Sequence, residues 1–176
     1  MYTGPSRNRE KGFFLSKGPS MSSMETPDSQ TATLLQADAM ATAIQRIADE
    51  IMASNPDIGG VVFLGILKRG RPLAERMADR IGEKTGFRPP VGSLATTLYR
   101  DDLRAGVGHV KFDGGATHFD FPIDDKTVIL VDDVLAAGRT IRAAMDEVMD
   151  YGRPARIQLA CLIDRGGREL PIQPDY

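Results

Sequence analysis

Three short runs in this chain are apolar on both faces of a strand, and they constrain the fold more than any other feature. They are Val61-Val62-Phe63-Leu64, Thr127 to Val131, and Ile157 to Ile163. A strand with no polar face belongs to a sheet covered on both sides, which is the habit of parallel sheets. The segments between the runs supply the cover. Met40, Ala43, Ile44, Ile47, Ala48 and Ile51 fall at helical spacing, in a helix that must stop by Asn55-Pro56, because the residue before a proline is pushed out of the α region. Pro72 opens a second helix carrying Leu73, Met77 and Ile81, a position where its missing N–H is harmless. Ile141, Ala144, Met145, Val148 and Met149 mark a third, with Gly152 as its C-terminal cap. A further strand is expected across Leu94 to Tyr99. Met40, Met145 and Met149 are assigned to core stripes. Strands alternating with helices give an α/β fold, a parallel sheet with flanking helices.

At 176 residues the chain holds one domain of ordinary size. Residues 1–32 are rich in Ser, Thr, Gly, Pro and Gln without periodicity and are expected to be a disordered extension; Met21 and Met24 are alternative starts within it. The folded domain is expected over 33–176. No apolar run approaches the roughly 20 residues that span a bilayer. The single cysteine, Cys161, lies in an apolar stretch and reads as a core residue in a cytoplasmic protein. With 22 basic and 24 acidic residues the net charge is −2, so the molecule as a whole does not attract nucleic acid.

In an open parallel sheet, ligands collect at the carboxyl ends of the strands. Val128 to Val131 runs into Asp132-Asp133, then Val134-Leu135-Ala136-Ala137-Gly138-Arg139-Thr140, then a helix. Paired carboxylates at a strand end are expensive unless cations or hydroxyls satisfy them. A turn of small residues before a helix leaves backbone N–H groups free to hold phosphate, helped by the Thr140 hydroxyl. Acids for a diol beside amides for a phosphate suit ribose 5-phosphate. The other glycine-flanked turn, Gly65 to Gly70, contains Lys68 and Arg69 and reads without further context as a solvated basic turn. The stretch from Asp101 to Thr117 is long, polar and glycine-rich, as lids and binding loops are. His109 within it and His118 at its end match no metal-ligand spacing and are expected to be exposed loop residues.

Val128 to Thr140 resembles the phosphoribosyl pyrophosphate (PRPP) signature of the type I phosphoribosyltransferases. The rest of the chain, from about Leu35 to Tyr176, is similar to the bacterial family that combines a pyrimidine operon regulator with a uracil phosphoribosyltransferase. Leu98-Tyr99-Arg100-Asp101-Asp102-Leu103, Gly152-Arg153-Pro154, Ile157-Gln158-Leu159-Ala160, Asp164-Arg165-Gly166 and Arg168-Glu169-Leu170-Pro171 carry that likeness. The resemblance implies a small hood and a mobile flap, the latter at Asp101 to Thr117 with Tyr99 and Arg100 at its base, acting in catalysis. It implies that Asp132 and Asp133 bind the ribose hydroxyls, and that Leu135, Ala136, Ala137, Gly138, Arg139 and Thr140 hold the 5-phosphate. It further implies that Lys68, Arg69 and Gly70 belong to a pyrophosphate loop, where the family often has a non-proline cis peptide. Mg²⁺ is expected to arrive with PRPP, without a dedicated metal cage.

The implied reaction is uracil plus PRPP to UMP plus pyrophosphate, in a homodimer or higher homo-oligomer. Regulation is implied through binding of pyrimidine (pyr) mRNA leader hairpins, with Arg46 and Arg168 on the RNA face. Gln45, Asp49, Ser54 and Gln173 stand where the family tends to carry hydroxyl or basic residues, Ala137 where it has a hydroxyl, and Gly167 where it has a histidine. The chain is expected to be C-terminally truncated at Tyr176 relative to the family. Two other readings fit the same residues: an RNA-binding attenuator that senses UMP or UTP with little catalysis, and a related transferase using a different base, such as hypoxanthine.

Overall fold

The computed structural model describes residues 35–96 and 116–176. They form a four-stranded parallel sheet flanked by three helices. In chain order these are α1 (Ala37–Ser54), β1 (Val61–Ile66), α2 (Gly70–Thr85), β2 (Val91–Leu94), β3 (Thr127–Leu135), α3 (Arg139–Tyr151) and β4 (Arg156–Asp164). The strand order is β2-β1-β3-β4. Alternation along each strand divides the core in two. Phe63, Ile129, Val131 and Ala160 pack beneath α1 and α2 with Ile47, Ile51, Met77 and Ile81. Leu64, Val128, Leu130 and Leu159 meet α3 through Ile141, Ala144 and Val148. The doubly apolar runs thus sit where their patterning requires.

Four details differ from the expectations above. The strand predicted at Leu94 to Tyr99 lies earlier, at Val91–Leu94; two of its four residues are Gly92 and Ser93, which hid it from an apolar-run reading, and Tyr99 lies outside the described residues. The second run does not stop at Val131, because β3 continues to Leu135 through both acids, paired with β4 as Asp132↔Cys161 and Leu135↔Asp164. Met149 is 45% exposed rather than core, whereas Met40 and Met145 pack against the two clusters. Gly152 does end α3, but with extended backbone (φ 173°). Its glycine is explained by crowding instead, since a Cβ there would lie 2.8 Å from Ile123 Cγ1.

Ser93 pairs with His118 through two backbone hydrogen bonds of 2.9 Å, and His118 is exposed, as expected. Next to it, Thr117 Oγ1 accepts from the Ala95 amide (2.9 Å) and donates to Glu147 Oε1 (2.8 Å). Glu147 is buried at 7% exposure. Thr117→Val keeps the shape but strands a buried carboxylate and an amide, so we expect a loss of about 2–3 kcal/mol in urea unfolding. Thr117→Ser should recover most of it; a Val variant as stable as the parent would dismiss the linkage.

At the other edge, Tyr176 lies alongside β4: its amide donates to Leu159 O and its carbonyl accepts from Cys161 N, both at 3.1 Å. Among the described residues no helix is long and apolar enough to cross a membrane.

Candidate active site

From the central pair β1 and β3, the chain leaves in opposite directions. After β1 it crosses through α2 to β2 on one flank; after β3 it crosses through α3 to β4 on the other. This is a topological switch point, where the two outgoing loops diverge and leave a crevice at the strand ends. The pairing of β1 with β3 ends at Gly65↔Val131. Asp132 to Leu135 therefore project past β1, held only by β4, and form one wall of the crevice.

The pleat sends successive side chains to opposite faces. Asp132 continues the row of Val128 and Leu130 on the α3 side and is 9% exposed. Its Oδ1 accepts from the Asp133 amide at 2.9 Å. Burial, only partly offset by that bond and reinforced by the neighbouring Asp133 charge, pushes its carboxyl up to about 7. Asp133 faces the α2 side, where its Oδ2 meets Arg69 Nη1 at 3.1 Å. The Arg69 side chain is 82% exposed, and so open an ion pair is worth at most about 1 kcal/mol. An incoming polyanion can claim the guanidinium at little cost. Burial likewise pushes the Cys161 thiol up to about 11, keeping this core residue protonated.

The turn read from sequence as Gly65 to Gly70 is shorter, because Gly65 and Ile66 close β1 and Gly70 opens α2. Residues 67–69 remain, with a cis peptide between Leu67 and Lys68. Lys68 and Arg69 are exposed. They border a groove of about 490 Å³ together with Asp133, Pro72, Leu162 and Ile163.

Residues 136–138 form the turn from β3 into α3. Gly138 precedes the helix in left-handed conformation (φ 93°), which favours glycine. The amides of Ala136, Ala137 and Gly138 have no acceptor among the described residues, while the carbonyls of Leu135, Ala136 and Ala137 all do. Thr140 follows in the first turn of α3, so the turn is an N-terminal helix site of the kind that binds anions.

Of the residues singled out from sequence, Lys68, Arg69 and Asp133 border one groove, Gly70 opens the helix after its cationic turn, and Asp132 and 135–140 lie on the same strand end and the turn and helix start that follow it. Tyr99, Arg100, His109 and most of Asp101 to Thr117 lie outside the described residues. Arg46 is exposed on α1 and paired with Glu50 at 3.1 Å; Asp49 is held by Lys84 at 2.6 Å, which keeps its carboxyl below the usual range. Arg168 is turned inward, with three donors committed to Ile172 O, Ala136 O and Asp164 Oδ2. Those contacts were not legible in the sequence, nor was the Arg139–Glu169 pair at 2.6 Å. The one available cue was an arginine and glutamate directly after a turn that leaves the strand beside β3. Among the described residues no cluster of three or more His, Cys, Asp or Glu could hold a metal.

Switch-point crevice, strand-end acids and helix-start turn together are the features of a phosphoribosyl transferase. The phosphoribosyl transferase domain family matches residues 30–176, and the chain belongs to that family. Within it, the relatives that the chain matches include bifunctional PyrR proteins. That of Acetivibrio thermocellus is 51% identical over 145 residues, covering 82% of this chain and 78% of its own. The Chloroflexus aurantiacus protein of the same name is 54% identical over 148 residues, covering 81% and 78%. Among solved structures, the HGPRT-ase of Leishmania tarentolae in complex with GMP superposes with a TM-score of 0.63 at 17% identity, covering 82% of this chain and 78% of the other. At that identity the likeness speaks for the fold.

Proposed function

We propose that this chain transfers the 5-phosphoribosyl group of PRPP to uracil, giving UMP and pyrophosphate, and that it regulates pyrimidine genes by binding their mRNA leaders. The observation that carries the transferase reading is the crevice: an amide-lined turn at α3, a cationic turn at α2, and two carboxylates between them. The 5-phosphate goes to the amides of 136–140, the ribose hydroxyls to Asp132 and Asp133, and the pyrophosphate to Lys68 and Arg69. PRPP enters as its magnesium complex, the metal neutralising leaving-group charge. The C1–O bond to pyrophosphate breaks, the C1–N1 bond to uracil forms, and the N1 proton is released. The ribose passes through an oxocarbenium-like state, so water must be kept out.

Uracil as acceptor and RNA as partner are supported by the sequence resemblance and by relatives at 51–54% identity, not by the crevice alone. The deciding measurement is chromatographic detection of UMP from uracil, PRPP and Mg²⁺, with hypoxanthine in parallel. Nucleotide from hypoxanthine alone would move the reading to another base; none from either would end the enzyme reading and leave the nucleotide-sensing one. Leader RNA titrated against salt should show a steep affinity loss, and no binding at low salt would end the regulatory part.

Asp133→Asn is expected to raise the KM for PRPP about tenfold, through loss of a charged acceptor for the ribose. Its Tm should stay within about 2 °C of the parent, because its ion pair is open to solvent. An unchanged KM would remove Asp133 from the ribose site.

A further inference from the structure

The segment that leaves β4 wraps the turn between β3 and α3 and bonds the three successive carbonyls of Leu135, Ala136 and Ala137. Arg165 N donates to Leu135 O (2.9 Å), Arg168 Nη1 to Ala136 O (3.0 Å), and the amides of Glu169 and Leu170 to Ala137 O (3.0 and 3.3 Å). A trans peptide is planar, with its C=O and the following N–H pointing in opposite directions. Fixing the carbonyls of 135, 136 and 137 on the side of this segment therefore fixes the amides of Ala136, Ala137 and Gly138 on the other side, where they have no acceptor among the described residues. Two of the three carbonyls are held by backbone amides. The middle one is held by a side chain.

We infer that Arg168 is a positioning residue for the 5-phosphate, which holds the Ala136 carbonyl so that the Ala137 amide faces the phosphate. Its guanidinium is suited to this because it is a planar fork braced at three points: Nε donates to Ile172 O at 2.7 Å, Nη2 to Asp164 Oδ2 at 2.8 Å, and Nη1 to Ala136 O. Its side chain is only 21% exposed. The brace matters at this position because Ala137 brings no hydroxyl, so its amide is the only donor that residue offers. The same fork ties the turn to Asp164 and Ile172, at the two ends of the β4 exit segment.

The inference rests on the reading that 136–140 hold the phosphate, and the test separates the two. Ribose 5-phosphate and inorganic pyrophosphate are titrated by calorimetry into the parent, Arg168→Gln and Arg168→Lys, without RNA. Both variants should bind ribose 5-phosphate about tenfold more weakly, the scale of one lost charged hydrogen bond, with pyrophosphate binding within about twofold of the parent. Lysine keeps the charge but cannot serve three acceptors as a planar fork, so rescue by Arg168→Lys would overturn positioning in favour of simple charge. Equal weakening of both ligands would also overturn it, as general loosening of the fold. If the parent binds ribose 5-phosphate and both variants match it, the inference alone falls; if the parent fails to bind it, the phosphate-site reading falls and takes the inference with it.

Discussion

Asp132→Asn is expected to make the protein more stable at pH 8 while reducing kcat/KM for PRPP by about 100-fold. The carboxyl of Asp132 lies at about 7 in the folded chain, mainly because burial disfavours its charged form, against about 3.9 in an unfolded one. With the folded value raised, the contribution to stability is fully present below about pH 4. It is lost as pH rises through about 7, where the native state must ionise a buried group. An asparagine does not titrate, so the gap between variant and parent should open across this window and level off above it. From pH 5 to pH 8 the gap should grow by roughly 2–3 kcal/mol, or about 5–10 °C in Tm. The bond from the Asp133 amide to Oδ1 is retained by the amide oxygen of asparagine. Melting curves at the two pH values check the claim, and a gap that does not change with pH would refute it.

The expected opposition between stability and activity locates the function. A carboxylate placed where ionisation is unfavourable is a poor structural residue, and such groups gather at sites that use them. Asp133 makes the contrast: one residue along, the pleat turns it to the α2 side within 3.1 Å of Arg69. Adjacent in sequence, the two acids meet different surroundings because β3 remains extended through both. Had the strand stopped at Val131, they would have shared one turn.

The sheet could be read from sequence because β1, β3 and β4 lack a polar face and the helices between them carry regular stripes. The strand β2 could not, since Gly92 and Ser93 leave no apolar run. Where β3 ends was misjudged for the opposite reason: Asp132 and Asp133 resemble loop residues, and only pairing with Cys161 and Asp164 across the ladder keeps them in the strand. Local pattern also gave the turn at 136–140, whose small residues and glycine have a direct backbone meaning. What it could not give was the far side of that turn. The contacts of Arg168, Glu169 and Leu170 with Ala136 and Ala137 join segments more than 30 positions apart, and an arginine bonded to carbonyls has the same sequence appearance as one on a basic surface. Tyr99, Arg100 and the greater part of Asp101 to Thr117 lie outside the described residues and stay as the resemblance implies them.

Gly70→Ala is expected to cost about 3 kcal/mol of stability and to weaken pyrophosphate binding at least tenfold. A Cβ on Gly70 would lie 2.1 Å from Val131 O, a backbone atom of the central strand that cannot swing aside as a flexible side chain would. Gly70 is buried and is the first residue of α2. To relieve the clash, either the start of α2 lifts away from β3 or the Val131 carbonyl gives up its place next to Asp132. The first movement carries residues 67–69 with it, because only they join β1 to α2. Overpacking of this kind commonly costs about 1–3 kcal/mol, and here both sides of the contact are backbone, which puts the expected loss at the upper end. Displacing a binding turn by even about 1 Å can cost two orders of magnitude in rate, about 2.7 kcal/mol, so the functional effect can be as large as the stability effect. Gly59→Ala is the control: its Cβ would meet nothing nearer than Asp57 Oδ1 at 3.4 Å, ordinary contact, and both properties should stay near those of the parent. Urea unfolding and product inhibition by pyrophosphate measure the two quantities independently. If Gly70→Ala unfolds with the parent and pyrophosphate inhibits it equally, the close approach of α2 to β3 does not set the pyrophosphate turn.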